Sequence, residues 1–132
     1  MPYSYAIDIT ARLATVTLAG TVRGTDIASA MEAVFGDSSW EPGFDLLWQA
    51  SGITELLFER DDLPGMITLQ RRLAARAGGG REVILVSRSL DEDMAKMYAL
   101  MMRGEGQTVS ICRSMADAVR LLGPMSPTPV VE

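Results

Sequence analysis

A chain of 132 residues has the length of one domain with one core, and its 48% hydrophobic and 22% charged residues place it among globular rather than disordered or fibrous proteins. A net charge of −5 repels phosphate backbones and argues against nucleic acid, and the absence of histidine removes the commonest general base, the Ser-His-Asp triad and most metal sites together. The single cysteine forms no internal disulfide, the opening stretch lacks the apolar run of a secretory signal, and charges interrupt every apolar run short of the roughly 20 residues that cross a bilayer, so a cytoplasmic protein is expected, touching membranes at most peripherally.

Tyr3, Tyr5, Ile7 and Ile9 alternate with small or polar residues, the period of a strand with one buried face, and Leu13 to Gly20 alternates again, so the two read as a hairpin that Gly20 ends. Gly24, Thr25 and Asp26 then open a helix with Ile27, Met31, Val34 and Phe35 on one face. A Gly, Ser and Pro-rich loop follows, anchored by Trp40, and Phe44 to Ala50 is apolar almost throughout, as a strand covered on both faces should be.

From there an apolar connection, Ser51 to Arg60, delivers the chain to a second helix opened by Asp61, Asp62 and Pro64. Met66, Leu69, Leu73 and Ala77 form its inward stripe, Arg71, Arg72 and Arg76 stand towards its end, and Gly78 to Gly80 stop it. Glu82 to Ser87 is a strand centred on Val83, Ile84, Leu85 and Val86. Ser89 with Glu92 reads as a capping box for a third helix that carries Met94, Met97, Tyr98 and Met101 on one face up to Gly104, with Met102 off that stripe. Thr108 to Cys112 is the fifth strand, and Ser114 caps a short last helix with Met115, Ala118, Val119 and Leu122 inside, ended by Gly123 and Pro124. The expected architecture is α/β, in the order ββαβαβαβα: a mixed, mostly parallel five-stranded sheet flanked by four helices, with the first strand antiparallel. One domain spans residues 1–123, and 124–132 is a Pro-rich tail.

The order of elements, the segment Phe44-Asp45-Leu46-Leu47-Trp48-Gln49-Ala50-Ser51-Gly52-Ile53, and the closing segments Ala95-Lys96-Met97-Tyr98, Val109-Ser110-Ile111-Cys112-Arg113-Ser114 and Ala118-Val119 resemble the SpoIIAA-like proteins of bacteria, small relatives of the STAS domain. The resemblance runs from about Tyr5 to Leu122 and implies that single-domain SpoIIAA/STAS-like fold. In the founding anti-sigma factor antagonists a serine at the start of the helix after the third strand is phosphorylated. Where that pattern places Asp-Ser-Ser-Gly, this chain reads Glu59-Arg60-Asp61-Asp62-Leu63-Pro64-Gly65, with no hydroxyl, so Asp61 or Asp62 would stand there as a permanent carboxylate. Ser51 matches a serine of the pattern that is structural. The SpoIIAA-like group also resembles lipid-carrying CRAL-TRIO domains in fold, which implies an apolar pocket or membrane-facing flap.

Four apolar side chains in the connection, Ile53, Leu56, Leu57 and Phe58, must find shelter either as a packed strand or turn or as a mobile flap over a pocket. With Trp48, Arg60, Asp61, Asp62 and Met66, and with Met97, Tyr98 and Met101 of the third helix, they form the candidate surface for a ligand or partner. Arg71, Arg72, Arg76 and Arg81 form a second, basic cluster, read foremost as a solvated helix end. Cys112 lies in a buried strand where a thiol is inert, Asp91, Glu92 and Asp93 are explained by capping, and the glycine run follows a helix rather than opening one. The expectation is a non-enzyme without metal or cofactor: a STAS-like regulatory module that binds a protein partner, or alternatively a carrier or sensor of a lipid or other apolar small molecule. A homodimer is compatible with either.

Overall fold

In a computed structural model that describes residues 2–103 and 108–122, the elements follow the order β1 (Tyr3–Asp8), β2 (Leu13–Arg23), α1 (Gly24–Gly36), β3 (Asp45–Leu57), a 3-10 turn (Arg60–Asp62), α2 (Leu63–Ala77), β4 (Arg81–Leu85), α3 (Ser89–Met101), β5 (Thr108–Cys112) and α4 (Met115–Leu122). The expected order ββαβαβαβα is thus the observed one. Gly104, Gly123 and the Pro-rich tail lie outside the described residues.

Alternation makes the hairpin: β1 runs antiparallel to β2, from Tyr3 opposite Leu18 to Asp8 opposite Leu13. All later pairings are parallel, in the spatial order β1-β2-β3-β4-β5. Successive right-handed crossovers in one direction put their helices on one face. That face carries Leu46, Trp48 and Ala50 of β3 under α1, α2 and α3, whereas α4 lies on the other, its Ala118 packed with Leu47, Val83, Leu85 and Cys112.

Two strand ends need correction. Gly20 does not end the second strand: at φ +75° it sits where the register between β2 and β3 slips, and β2 continues to Arg23. Nor does the third strand end at Ala50. Residues 52–57 pair with the continuing half of β2, so the apolar connection up to Leu57 is strand. Ile53 and Leu56 are three residues apart and share the inner face because the register slips between them, leaving Thr54 as the extra residue; Ile53 is buried and Leu56 half-buried.

The basic cluster is also dispersed into structural work. Arg76 donates to the carbonyls of Phe35 (2.7 Å), Asp37 (3.0 Å) and Trp40 (2.7 Å), and the Trp40 indole donates back to the Arg76 carbonyl at 2.7 Å. Trp40 in turn meets Phe35 and Phe44 edge to face, with centroids 4.8 and 5.5 Å apart, so the loop before β3 is clamped to α2. Arg72 pairs with Glu32 of α1, and Arg81 pairs with the buried Asp45 and donates to the carbonyls of Leu121 and Leu122 at the end of α4. Gly78 closes α2 in the left-handed conformation at φ +79°, and a Cβ on Gly80 would strike the backbone of Gly43 and Phe44, so the glycines let β4 start against that clamped loop.

Candidate functional site

Past Gln49 the sheet narrows. β4 accompanies β3 only from Leu46 to Gln49, whereas β2 follows it to Leu57, so a two-stranded ribbon of residues 19–23 and 52–57 projects beyond the sheet. Its inner edge, where β4 has left, presents backbone groups that need partners. The Ser87 hydroxyl donates to the Ser51 carbonyl at 3.1 Å, and the Arg88 guanidinium donates to the Thr54 carbonyl. Arg88 also grips Asp91, one turn into α3, through two bonds of 2.8 and 2.9 Å. One arginine therefore ties the ribbon to the start of α3 and neutralises a carboxylate whose side chain is 2% exposed. Arg88, not Ser89, is the N-cap residue of α3, which corrects the expected capping box.

Between ribbon, sheet and helices lies a cavity of about 90 Å³, several times the roughly 10–15 Å³ that one water requires. Trp48, Glu82 and Ile84 form its floor, Ile53, Leu56 and Phe58 the ribbon wall, and Met94, Ala95 and Tyr98 of α3 the facing wall. Ile27 and Met31 of α1 and Met66 of α2 close the remaining side. The hollow continues outward past Leu56, Phe58 and Met94 into a surface groove that Arg60, Leu90 and Met97 border. It lies where the ribbon extends past the end of β4 and α3 faces the ribbon rather than a neighbouring strand.

In that apolar floor stands one polar group. Glu82, 1% exposed, accepts from the Trp48 indole at 2.5 Å and from the Tyr98 hydroxyl at 3.2 Å to each oxygen. The Gln70 amide of α2 donates to the Tyr98 hydroxyl at 2.5 Å, and its own oxygen is buried without a partner in this structure. Burial raises the Glu82 carboxyl from the ordinary 4.5 to about 7, against the opposing pull of the Trp48 and Tyr98 bonds. Tyr98 is pushed well above the usual phenol value, by burial first and then by the charge of Glu82. Cys112 is buried on the opposite face of the sheet, and burial raises its thiol. Among the described residues no three His, Cys, Asp or Glu side chains are grouped to hold a metal ion, and no helix is long and apolar enough to cross a membrane.

Of the surface expected from the sequence, Trp48, Ile53, Leu56, Phe58, Met66 and Tyr98 line the cavity, and Arg60 and Met97 border the groove outside it. Leu57, Asp61, Asp62 and Met101 line neither hollow. Leu57 points to the other face of the ribbon and is 37% exposed, and Asp62 accepts the Glu59 N–H at 2.8 Å, closing the 3-10 turn. α3 is also rotated from the expected setting: its buried row is Asp91, Ala95, Tyr98 and Met102, so Met102 is 1% exposed while Met101 is 39% exposed.

Glu82, Gln70 and Asp91 were missed as site residues. A signal existed for Gln70, which falls between Met66, Leu73 and Ala77 at helical spacing and so had to point inward. Glu82 opens its strand beside Arg81 and reads as a polar lead-in, and only the sheet register, which sets it beside Leu46 and Val109, reveals it as central.

No family model matches the chain, and no curated protein matches it in sequence. Solved structures similar in fold include the following two. The anti-sigma factor antagonist SpoIIAA in its unphosphorylated form superposes with a TM-score of 0.55 at 10% identity, over 92% of this chain and 97% of that one. An uncharacterized protein of the DUF3478 family with a SpoIIAA-like fold, from Shewanella loihica PV-4, gives 0.55 at 11% identity, over 91% and 94%. With the five-stranded mixed sheet and its helices in the same order, this chain has the SpoIIAA-like, STAS-related fold.

Proposed function

We propose that this chain is a non-catalytic binding module whose site is the cavity beneath the projecting ribbon, and that it holds a small, uncharged apolar molecule there. The observation that carries the reading is the pairing of an open cavity with walls of Ile53, Phe58, Met66 and Met94, because a space so lined is not stabilised by water. Thioethers on both sides adapt to guests of irregular outline. None of the lining residues is a lysine or arginine, so a fatty-acid carboxylate inside would be buried without a counter-charge, which favours neutral guests. Native mass spectrometry of protein prepared without detergent tests this: a retained small-molecule adduct, lost in Ala95→Leu, is the expected result, and an empty protein that takes up no neutral apolar compound contradicts it.

A second reading is a regulatory module that binds a protein partner over the mouth of the cavity. Leu90 (71% exposed), which borders the groove, favours it, and Leu100 (60%) and Met101 are further exposed apolar side chains on α3. No hydroxyl occurs between Thr54 and Thr68, so such a module would work without a phosphorylated serine at the start of α2. If a partner docks there, Leu90→Glu abolishes its capture while leaving adduct retention intact; capture unaffected by that change excludes this surface.

A further inference from the structure

We propose that the guest is longer than the cavity: a straight-chain, uncharged amphiphile whose apolar end fills the hollow beneath the ribbon while its polar end lies in the groove outside, among Glu59, Arg60 and Asp93. The proposal rests on the reading of the cavity as a binding site and adds the class of molecule it takes and the direction in which that molecule lies.

Cavity and groove form one passage. Leu56 and Phe58 from the ribbon side and Met94 from α3 line both, so the mouth of the cavity is the inner end of the groove. At about 90 Å³ the cavity is smaller than the roughly 150 Å³ hollow that encloses a benzene ring, so a guest of even that size protrudes through the mouth. Outside the mouth Met97 and Leu90 of α3 continue the apolar lining. A straight chain suits such a passage because it bends at each methylene and needs little width, and the Met94 thioether at the junction adapts to it.

Polar groups set the direction. Almost no polar surface faces the cavity: Glu82 is taken up by Trp48 and Tyr98, and Asp91 by Arg88, which leaves a hydroxyl inside nothing to bond. The polar residues lining the groove, Glu59, Arg60 and Asp93, are exposed and of both signs. A hydroxyl donates and accepts, so it suits a carboxylate and a guanidinium alike. A charged head gains less, because ion pairs with exposed side chains return little and the head loses hydration against the apolar mouth. The apolar end therefore goes in and the polar end stays out.

The test reads the 13C methyl resonances of Met66, which lines the cavity alone, Met94, which lines both hollows, and Met97, which lines the groove alone. Toluene, butanol, hexanol and octanol are added in turn at pH 7. Toluene, too short to run along the groove, is expected to shift Met66 and Met94 and spare Met97, whereas octanol is expected to shift all three. Affinity should rise about twofold for each methylene from butanol to octanol, half the free energy of full burial, and so roughly fifteenfold in all. Octanoate and octylammonium, both charged at this pH, should bind about tenfold more weakly than octanol. Met97→Gln should bring octanol down towards butanol and leave toluene unchanged.

An octanol complex that leaves Met97 unmoved, or affinity that does not grow beyond butanol, overturns the proposal, and toluene binding then leaves the cavity standing as a site. A charged analogue that binds as tightly as octanol overturns the uncharged head. If neither toluene nor any of the alcohols shifts Met66, the binding site itself is overturned. Should Met97→Gln fail to fold, the alcohol series on the native protein decides alone.

Discussion

Trp48 and Glu82 meet in the middle of the sheet, the indole of β3 donating to the carboxylate of β4 at 2.5 Å under the cover of α3. A buried carboxylate with two donors is only partly repaid for its lost hydration, and its raised titration follows from that deficit.

Stability should fall as pH rises through neutrality. Glu82 titrates near 4.5 in an unfolded chain and near 7 in the folded one, so between these values the native state holds the extra proton. The contribution is fully present below pH 4.5 and is lost as pH rises through 7, a difference of about 3 kcal/mol. Glu82→Gln, which keeps an acceptor for Trp48, should remove this slope; urea denaturation between pH 5 and pH 8 measures it, and an equal slope in the variant contradicts the assignment.

Arg88→Ala should cost about 3 kcal/mol, because Asp91 would stay buried without its partner and the Thr54 carbonyl would lose its donor. The loss should be local as well as global. Proteolysis of native protein under folding conditions should cut within residues 52–58 in the variant and spare them in the parent.

Ala95→Leu places three further carbon atoms in the cavity from its α3 wall. Stability should change by less than about 1.5 kcal/mol, since the space exists, while toluene binding disappears. Calorimetry checks both in one preparation.

Arg76→Ala provides the contrast. It removes the donor to the carbonyls of Phe35, Asp37 and Trp40, at the opposite end of α2 from the cavity-lining Met66, and should cost about 2–3 kcal/mol. Toluene affinity at pH 5.5, measured on the folded fraction, should not move.

Period and punctuation carried the fold: alternation in β1 and β2, the continuous apolar run of Phe44 to Ala50 and the glycines after Ala77 each named their element, and the order of elements then dictated parallel crossovers. The two strand ends misled because glycine is ambiguous. At Gly20 it makes a bulge rather than a stop, and Gly52 lies where the strand continues, with β2 approaching so closely that a Cβ would come within 3.2 Å of the Leu18 carbonyl. Half of the expected surface lines the cavity because hydrophobic side chains leaving a central strand must turn to the nearest helix. Glu82 was invisible for the opposite reason: the sequence shows a charge, and only the register of three strands shows that it has nowhere to go.

The central claim is that the space between Phe58 and Met94 is a binding site. Methionine-methyl spectra recorded during addition of toluene at pH 6 test it most directly, because Met31, Met66 and Met94 line the cavity whereas Met115 lies on α4 across the sheet. Saturable shifts of the first three with Met115 unmoved are predicted. Absence of saturation, or equal movement of all four, would contradict the account.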